Sequence, residues 1–281
     1  TGSTNSLLNL GSTNQWSFYQ FTNSSASTNA AFLTFLPSPL SLSPMEVRAG
    51  LSNTAAPAQP DLDLYVSLEP GLTNLDPAAL ANAWQSLGQG GTETIVLSNA
   101  LPAAYYVAVK AESQEAARFN LLGVFSQQPF AQSDAQGNLL LRGLPVPESI
   151  PAGNSAQPGL AYVLAIAPEP LPVHRVIVTN SLTHPWMSEL TGTLSHGARS
   201  VVLNHESNMA AVTNQAFVYD DSNEGDLPGA QPTDGPGSLN DFAGAQGFGQ
   251  WLLTMASTNQ SGTEEGFWIV LEREPALTNS P

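Results

Sequence analysis

The sequence predicts an all-β protein made of two β-sandwich domains, and three observations carry that expectation. Apolar and polar residues alternate with period two along several short runs, as half-buried strands require. Only 11% of the 281 residues are charged, whereas Gly (23) and Pro (22) are plentiful, a balance that favours short strands joined by tight turns. The length suits about two domains, and 42% hydrophobic residues supply apolar material for a core in each.

Composition also excludes function classes. Seven Lys and Arg against 23 Asp and Glu give a formal charge of -16, so the surface field repels phosphate backbones and anionic lipid. We therefore expect no nucleic-acid partner. The longest wholly apolar run, 160–167, is far shorter than the roughly 18 residues that cross a bilayer, and no charged start followed by an apolar stretch marks a signal peptide. We expect a soluble chain with no membrane insertion. The absence of cysteine excludes disulfides, thiolate metal sites and cysteine nucleophiles. A first residue other than Met leads us to expect an upstream segment, an export signal or a larger protein.

The first domain is expected over 1–128. In DLDLYVSL, Leu62, Leu64, Val66 and Leu68 share one strand face and Asp61, Asp63, Tyr65 and Ser67 the other. YYVAVKAES places Tyr105, Val107 and Val109 on one side, and 119–125 supplies another apolar run. Between them LDPAALANAWQSLG reads as a short surface helix, with Asp76 as cap, Pro77 at the first helical position and Leu80, Trp84 and Leu87 at helical spacing. The glycine-rich stretch 88–93 matches no phosphate-binding motif and reads as a turn.

Proline, glycine and small polar residues crowd 129–158, so a linker is expected at 129–142 and a second domain over 143–281. There AYVLAIA, HRVIVTN and SVVLNH read as strands, and an acidic, glycine-rich passage covers 219–249. In the final runs, Trp251, Leu253 and Met255 share one face and Phe267, Ile269 and Leu271 another, so these two strands are expected to pair as a hairpin around a polar connection. The triplet Ser-Thr-Asn at 3, 12, 27 and 257 has no fixed period and marks no solenoid.

The ordered landmarks IPAGN, VHRVIVTNSLTH, EL, SVVLNH, VYDD, PGSLNDFAG, GQWLLTM and GFWIVLE make residues 143–273 resemble the P domain of kexin- and furin-like proprotein convertases and of bacterial secreted proteases. The resemblance implies a jelly-roll β-sandwich. Where that family carries Gly-Asp-Leu after the histidine strand, this chain has Met187-Ser188-Glu189-Leu190, and the usual Pro-Ser-Gly-Thr turn is Ser195-His196-Gly197-Ala198. More loosely, residues 10–128 are similar to the bacterial pre-peptidase C-terminal domain through DLDLYVS and YYVAV. Both families are non-catalytic appendages. Their resemblance implies an accessory pair from an exported, secreted or cell-surface bacterial protein, serving targeting, stabilisation or surface interaction. Two alternatives stay open: the C-terminal accessory portion of a secreted serine endopeptidase, contributing to proteolysis with a catalytic domain in cis, and passive spacers of a surface or adhesive protein.

No catalytic residues are assigned, since the subtilase landmarks and the GxSxG elbow are both absent. His174, His184, His196 and His205 carry no HExxH spacing and read as polar strand ends that bond locally. Calcium is the metal candidate: Asp220, Asp221, Asn223, Glu224 and Asp226 place hard oxygen donors within seven residues, although the spacing is not that of an EF-hand and an ordinary solvated acidic loop is the alternative. Asp61 and Asp63, two apart on the outward side of one strand, read as exposed solubilising carboxylates, with calcium binding helped by a loop as the alternative. The pre-peptidase resemblance, a family with domains that bind insoluble substrates, implies that Tyr65, Trp84 and Tyr106 are candidates for presenting aromatic surface to a polysaccharide or a fibrous protein, against the plainer reading of core or strand-surface packing.

Overall fold

The computed structural model describes residues 15–24, 27–35, 61–112, 119–205 and 210–274. The Ser-Thr-Asn triplets at 3 and 12 lie outside the described residues, as does part of the stretch that resembles the pre-peptidase C-terminal domain. The chain divides into two compact units, Thr1–Pro129 and Phe130–Pro281, and both are antiparallel β-sandwiches.

In the first unit, one sheet has the order β1 (Gln15–Thr22), β6 (Ala104–Ala111), β3 (Leu62–Ser67), β4 (Trp84–Ser86). The other is β5 (Thr94–Leu97), β2 (Asn29–Phe35), β7 (Asn120–Ser126). The alternation expected in β3 and β6 holds: Leu62, Leu64, Val66, Tyr105, Val107 and Val109 enter one core with Phe21, Phe32 and Leu121. Phe32 sits among three rings, those of Phe21, Tyr105 and Phe125. Gly123 is required where it is, because a Cβ there would meet the Phe21 ring at 2.6 Å.

Two expectations for this unit are corrected. Asp76 does cap a helix, accepting from the backbone N–H groups of Ala78 and Ala79, and Pro77 opens it, but this helix, α1 (Pro77–Ala81), is only five residues long. Trp84 lies in β4, opposite Val66. The spacing of Leu80, Trp84 and Leu87 imitated a helical face, yet pairing with the edge of β3 satisfies backbone groups that a longer surface helix would have left to its own weak propagation. Nor is the second face of β3 an exposed one. Asp63 and Ser67 are buried there, because Leu72, Ala79 and Ala108 form a small apolar cluster over that side, with Tyr65 and Tyr106 packed against it.

The second unit has a jelly-roll topology. One sheet is β10 (Glu148–Ile150), β17 (Gly262–Arg273), β12 (Val173–His184), β15 (Val212–Tyr219). The facing sheet is β11 (Gly159–Ala167), β16 (Gly249–Ser257), β13 (Leu190–His196), β14 (Arg199–His205). These eight strands interleave in sequence between the two sheets, as two Greek keys do. The segment expected as a linker instead belongs to this unit: β8 (Ala131–Ser133) pairs with β9 (Leu139–Arg142), which pairs with β17. Leu139 and Leu141 are buried, so alternating apolar residues outweigh the surrounding Pro and Gly.

The expected terminal hairpin is also corrected. β16 pairs with β11 and β13, whereas β17 pairs with β9, β10 and β12. The short connection between them crosses from one sheet to the other. Trp251, Leu253, Met255, Phe267, Ile269 and Leu271 still share one core, which they enter from opposite sides. Trp251 is fully buried and donates its indole N–H to the Gly247 carbonyl at 2.9 Å. Trp268 lies on the outer face and is 36% exposed.

Candidate functional site

The acidic residues proposed for calcium follow β15 directly, and β15 lies beside β12. This places the loop over the start of β12, where a register irregularity between Val173 and Arg175 sends Arg175 to the outer side of the sheet. The guanidinium is enclosed, with 2% of its side chain exposed. Asp220 binds it in a two-pronged manner, at 3.1 Å to Nε and 2.6 Å to Nη2. Asp226 does the same at 2.7 Å to Nη2 and 3.1 Å to Nη1. Glu224 accepts from Nη1 at 3.1 Å, and Glu272, opposite Arg175 in β17, lies 3.6 Å from it.

Such forked contacts match the planar geometry of guanidinium to carboxylate and are the strong kind of charge-assisted bond. They hold Arg175 above its ordinary pKa, through the Asp226 and Asp220 hydrogen bonds acting against burial. Burial opposes ionisation of Asp220, but bonds from Arg175 and from the backbone and hydroxyl of Ser222 outweigh it and keep the carboxyl below its ordinary value. Asp226 is lowered by its bond to Arg175.

Asp221 turns away from this centre. Its Oδ2 accepts from the Leu239 N–H at 2.7 Å, the Ser238 hydroxyl at 2.8 Å and the Thr233 hydroxyl at 2.9 Å, and its Oδ1 accepts from the Thr233 N–H at 2.9 Å. Those bonds outweigh burial and lower its pKa. Asn223 adopts a left-handed backbone conformation, φ 61°, and directs its side-chain amide to the Asp221 carbonyl. The five residues are thus close in space but serve two centres, three of them Arg175 and one the backbone of 233–239. Beside Asp221 opens a polar depression of about 540 Å³, edged by Asn223, Thr233, Ser238 and Asn240.

The histidines are also engaged. His184 is fully buried, its Nδ1 2.8 Å from the Trp186 carbonyl and its Nε2 3.2 Å from Ser257 Oγ. A serine therefore does sit beside an imidazole. However, both are fully enclosed, and the Ser257 hydroxyl donates to the Gln260 carbonyl at 2.6 Å. His196 lies flat on Trp251, ring centres 4.1 Å apart, and contacts the carbonyls of Gln250 and Gln246, both at 2.7 Å. The turn that follows uses Gly197 at φ 58°. His174 lies 3.6 Å from Glu224, and the His205 N–H donates to Asp234. Glu189 accepts from the Asn259 side chain and the Gln260 N–H, fastening the connection between the sheets.

In the first unit, the outer face of the β1–β6–β3 sheet brings together Asp63, Lys110, Glu112 and several rings. Trp16 stacks parallel to Phe18 at 6.3 Å, lies 5.1 Å from Tyr65, and has Lys110 Nζ 5.9 Å from its centre. Lys110 pairs with Glu112 and lies 3.7 Å from Asp63. Burial and the neighbouring Glu112 push the Asp63 carboxyl up to about 6, against the pull of Lys110. Of the three aromatics singled out in the sequence, Tyr65 and Tyr106 belong to this face and Trp84 stands exposed on β4.

Sequence reasoning missed Arg175 and the Trp16–Phe18 pair. Arg175 carried one signal: it is a rare basic residue, one of seven Lys and Arg, set within an apolar strand. Compared with models of known protein families and with curated proteins, the chain matches none of either.

Proposed function

We propose that the chain is a non-catalytic pair of accessory modules from an exported bacterial protein, a pre-peptidase C-terminal-like sandwich followed by a P-domain-like jelly roll, used for targeting, stabilisation or surface interaction. One observation carries the reading. The polar groups from which hydrolytic chemistry would be assembled are spent on architecture, above all Ser257 and His184, which face each other inside a closed core. A nucleophile needs an approach for substrate as well as a base. Under this reading the recognition surface for a protein or polysaccharide is the β1 edge of the outer face of the first unit, beside the part covered by Leu72 and Ala79, where Phe18 is 38% exposed next to Trp16.

The test is incubation of the full chain with a fluorophosphonate probe and peptide substrates. The proposal expects no labelled serine and no turnover. Stoichiometric labelling with turnover overturns it.

Calcium enters this proposal as a competitor. Asp220, Glu224 and Asp226 already surround a guanidinium, so an ion bound there has to displace Arg175 from its carboxylates. We therefore assign the rigidity of the loop to Arg175 and Asp221, with calcium able to take over when Arg175 is removed.

A further inference from the structure

Glu264 lies on β17 directly opposite Leu182 of β12 and Glu148 of β10. It is fully buried, and neither carboxyl oxygen has a hydrogen-bond partner. Asn180 stands two residues before Leu182 on the same face of β12, also fully buried, with both amide atoms unpartnered. Diagonal neighbours across antiparallel strands lie about 7–8 Å apart, within reach of a long side chain. Four unsatisfied polar atoms are thus enclosed on adjoining strands of one sheet.

The surroundings offer no countercharge. Glu148 faces Glu264 from β10 and Glu265 follows it in β17, both acidic. From β15 comes Tyr219, which is buried and brings no positive charge. His184 of β12 is nearby, at the position of Gly262, but its ring nitrogens are occupied by Trp186, Ser257 and Gln260. Glu189 is bound to Asn259 and Gln260. Among the described residues no ion pair reaches Glu264. An isolated buried carboxylate is costly enough that such a group stays neutral.

We propose that Glu264 is a proton-held latch: neutral, it is accepted inside the jelly roll beside Asn180, and its ionisation draws in water and loosens the β10–β17–β12 end of the sheet. The β12–β17 register shifts between Ser181 and Leu182, and β10 contributes only three residues. Burial pushes the Glu264 carboxyl up to about 9, with the nearby Ser181 amide offsetting part of the shift and Glu265 adding to it. The sign follows. The folded state keeps a proton that the unfolded chain releases near the ordinary glutamate value of about 4.3. The contribution of this group to stability is therefore greatest below that value and falls as pH rises toward 9.

The test is urea unfolding of the full chain between pH 7 and 9, followed by tryptophan fluorescence, for the native sequence and for Glu264→Gln. Carboxyl groups with ordinary values have finished titrating in this window, and a tyrosine with the ordinary value of about 10 is still mostly protonated. The unfolding constant of the second unit is expected to rise about tenfold per pH unit in the native protein, and Glu264→Gln is expected to abolish most of that rise. An equal slope in the variant overturns the proposal. Should Glu264→Gln not fold, the native protein alone decides: a flat or falling unfolding constant between pH 7 and 9 overturns it.

Discussion

Arg175 and Glu264 are both ionisable side chains enclosed by the same sheet, on the adjoining strands β12 and β17, yet they are treated in opposite ways. Arg175 lies on the outer side and is surrounded by four carboxylates, two of them in forked contact. Glu264 has no hydrogen-bond partner. The difference teaches how this fold disposes of buried charge. Where a loop can fold over the sheet, the charge is kept and paired; where only core lies above it, the charge is given up and the group stays neutral.

The two arrangements predict opposite pH limits. Asp220, Asp221 and Asp226 have lowered pKa values when folded. Their contribution is present above the unfolded value of about 3.9 and is lost as pH falls through the folded values. Glu264 works the other way and costs stability as pH rises toward about 9. Stability against pH should therefore peak in mildly acidic solution.

The largest effects should come from breaking either centre or the core between them. Trp251→Ala removes a fully enclosed ring on which His196 stacks, and should cost about 3–5 kcal/mol in urea unfolding. Arg175→Met strands the Asp220 carboxylate without its partner and should cost about 3–5 kcal/mol. Arg175→Lys should recover only part of this, since an ammonium cannot make the forked contacts. Calcium sharpens the comparison: millimolar Ca²⁺ should raise the melting temperature of Arg175→Met more than that of the native chain, and an equal rise in both would contradict the role given to Arg175.

Smaller effects should follow at the second centre. Asp221→Ala leaves the donors of Thr233, Ser238 and Leu239 without their acceptor and should cost about 1–3 kcal/mol. Trp268→Ala, on the outer face, should stay within about 1 kcal/mol, because surface substitutions seldom matter more. A Trp268 effect as large as that of Trp251 would mean the outer face is covered.

What was legible in the sequence follows from the range over which the deciding forces act. Period-two patterns located β3, β6, β16 and β17 and the inward residues on them, since alternation is a local consequence of the pleat. Pairing was not legible. The segment between Ser257 and Gly262 fits a hairpin or a crossing between sheets equally well, and only the partners β11, β12 and β13 decide it. The acidic loop was visible as chemistry, but its use was not, because the cation it encloses lies some 45 residues earlier in the chain than Asp220. Glu264 was hidden by the register shift at Ser181 and Leu182, which turns inward a residue that strict alternation from Phe267 would place outside. Trp84 misled because four-residue spacing after a genuine N-cap is also met by a helix that stops and a strand that begins.

The central claim, that one enclosed charge is paired and the other is neutral, is tested most directly by a carbon-13 NMR titration of the aspartate and glutamate carboxyl groups in the full chain. The account predicts that Glu264 remains protonated at pH 7, while Asp220 and Asp221 remain ionised below the ordinary aspartate range. A Glu264 resonance that titrates together with the exposed glutamates would contradict it.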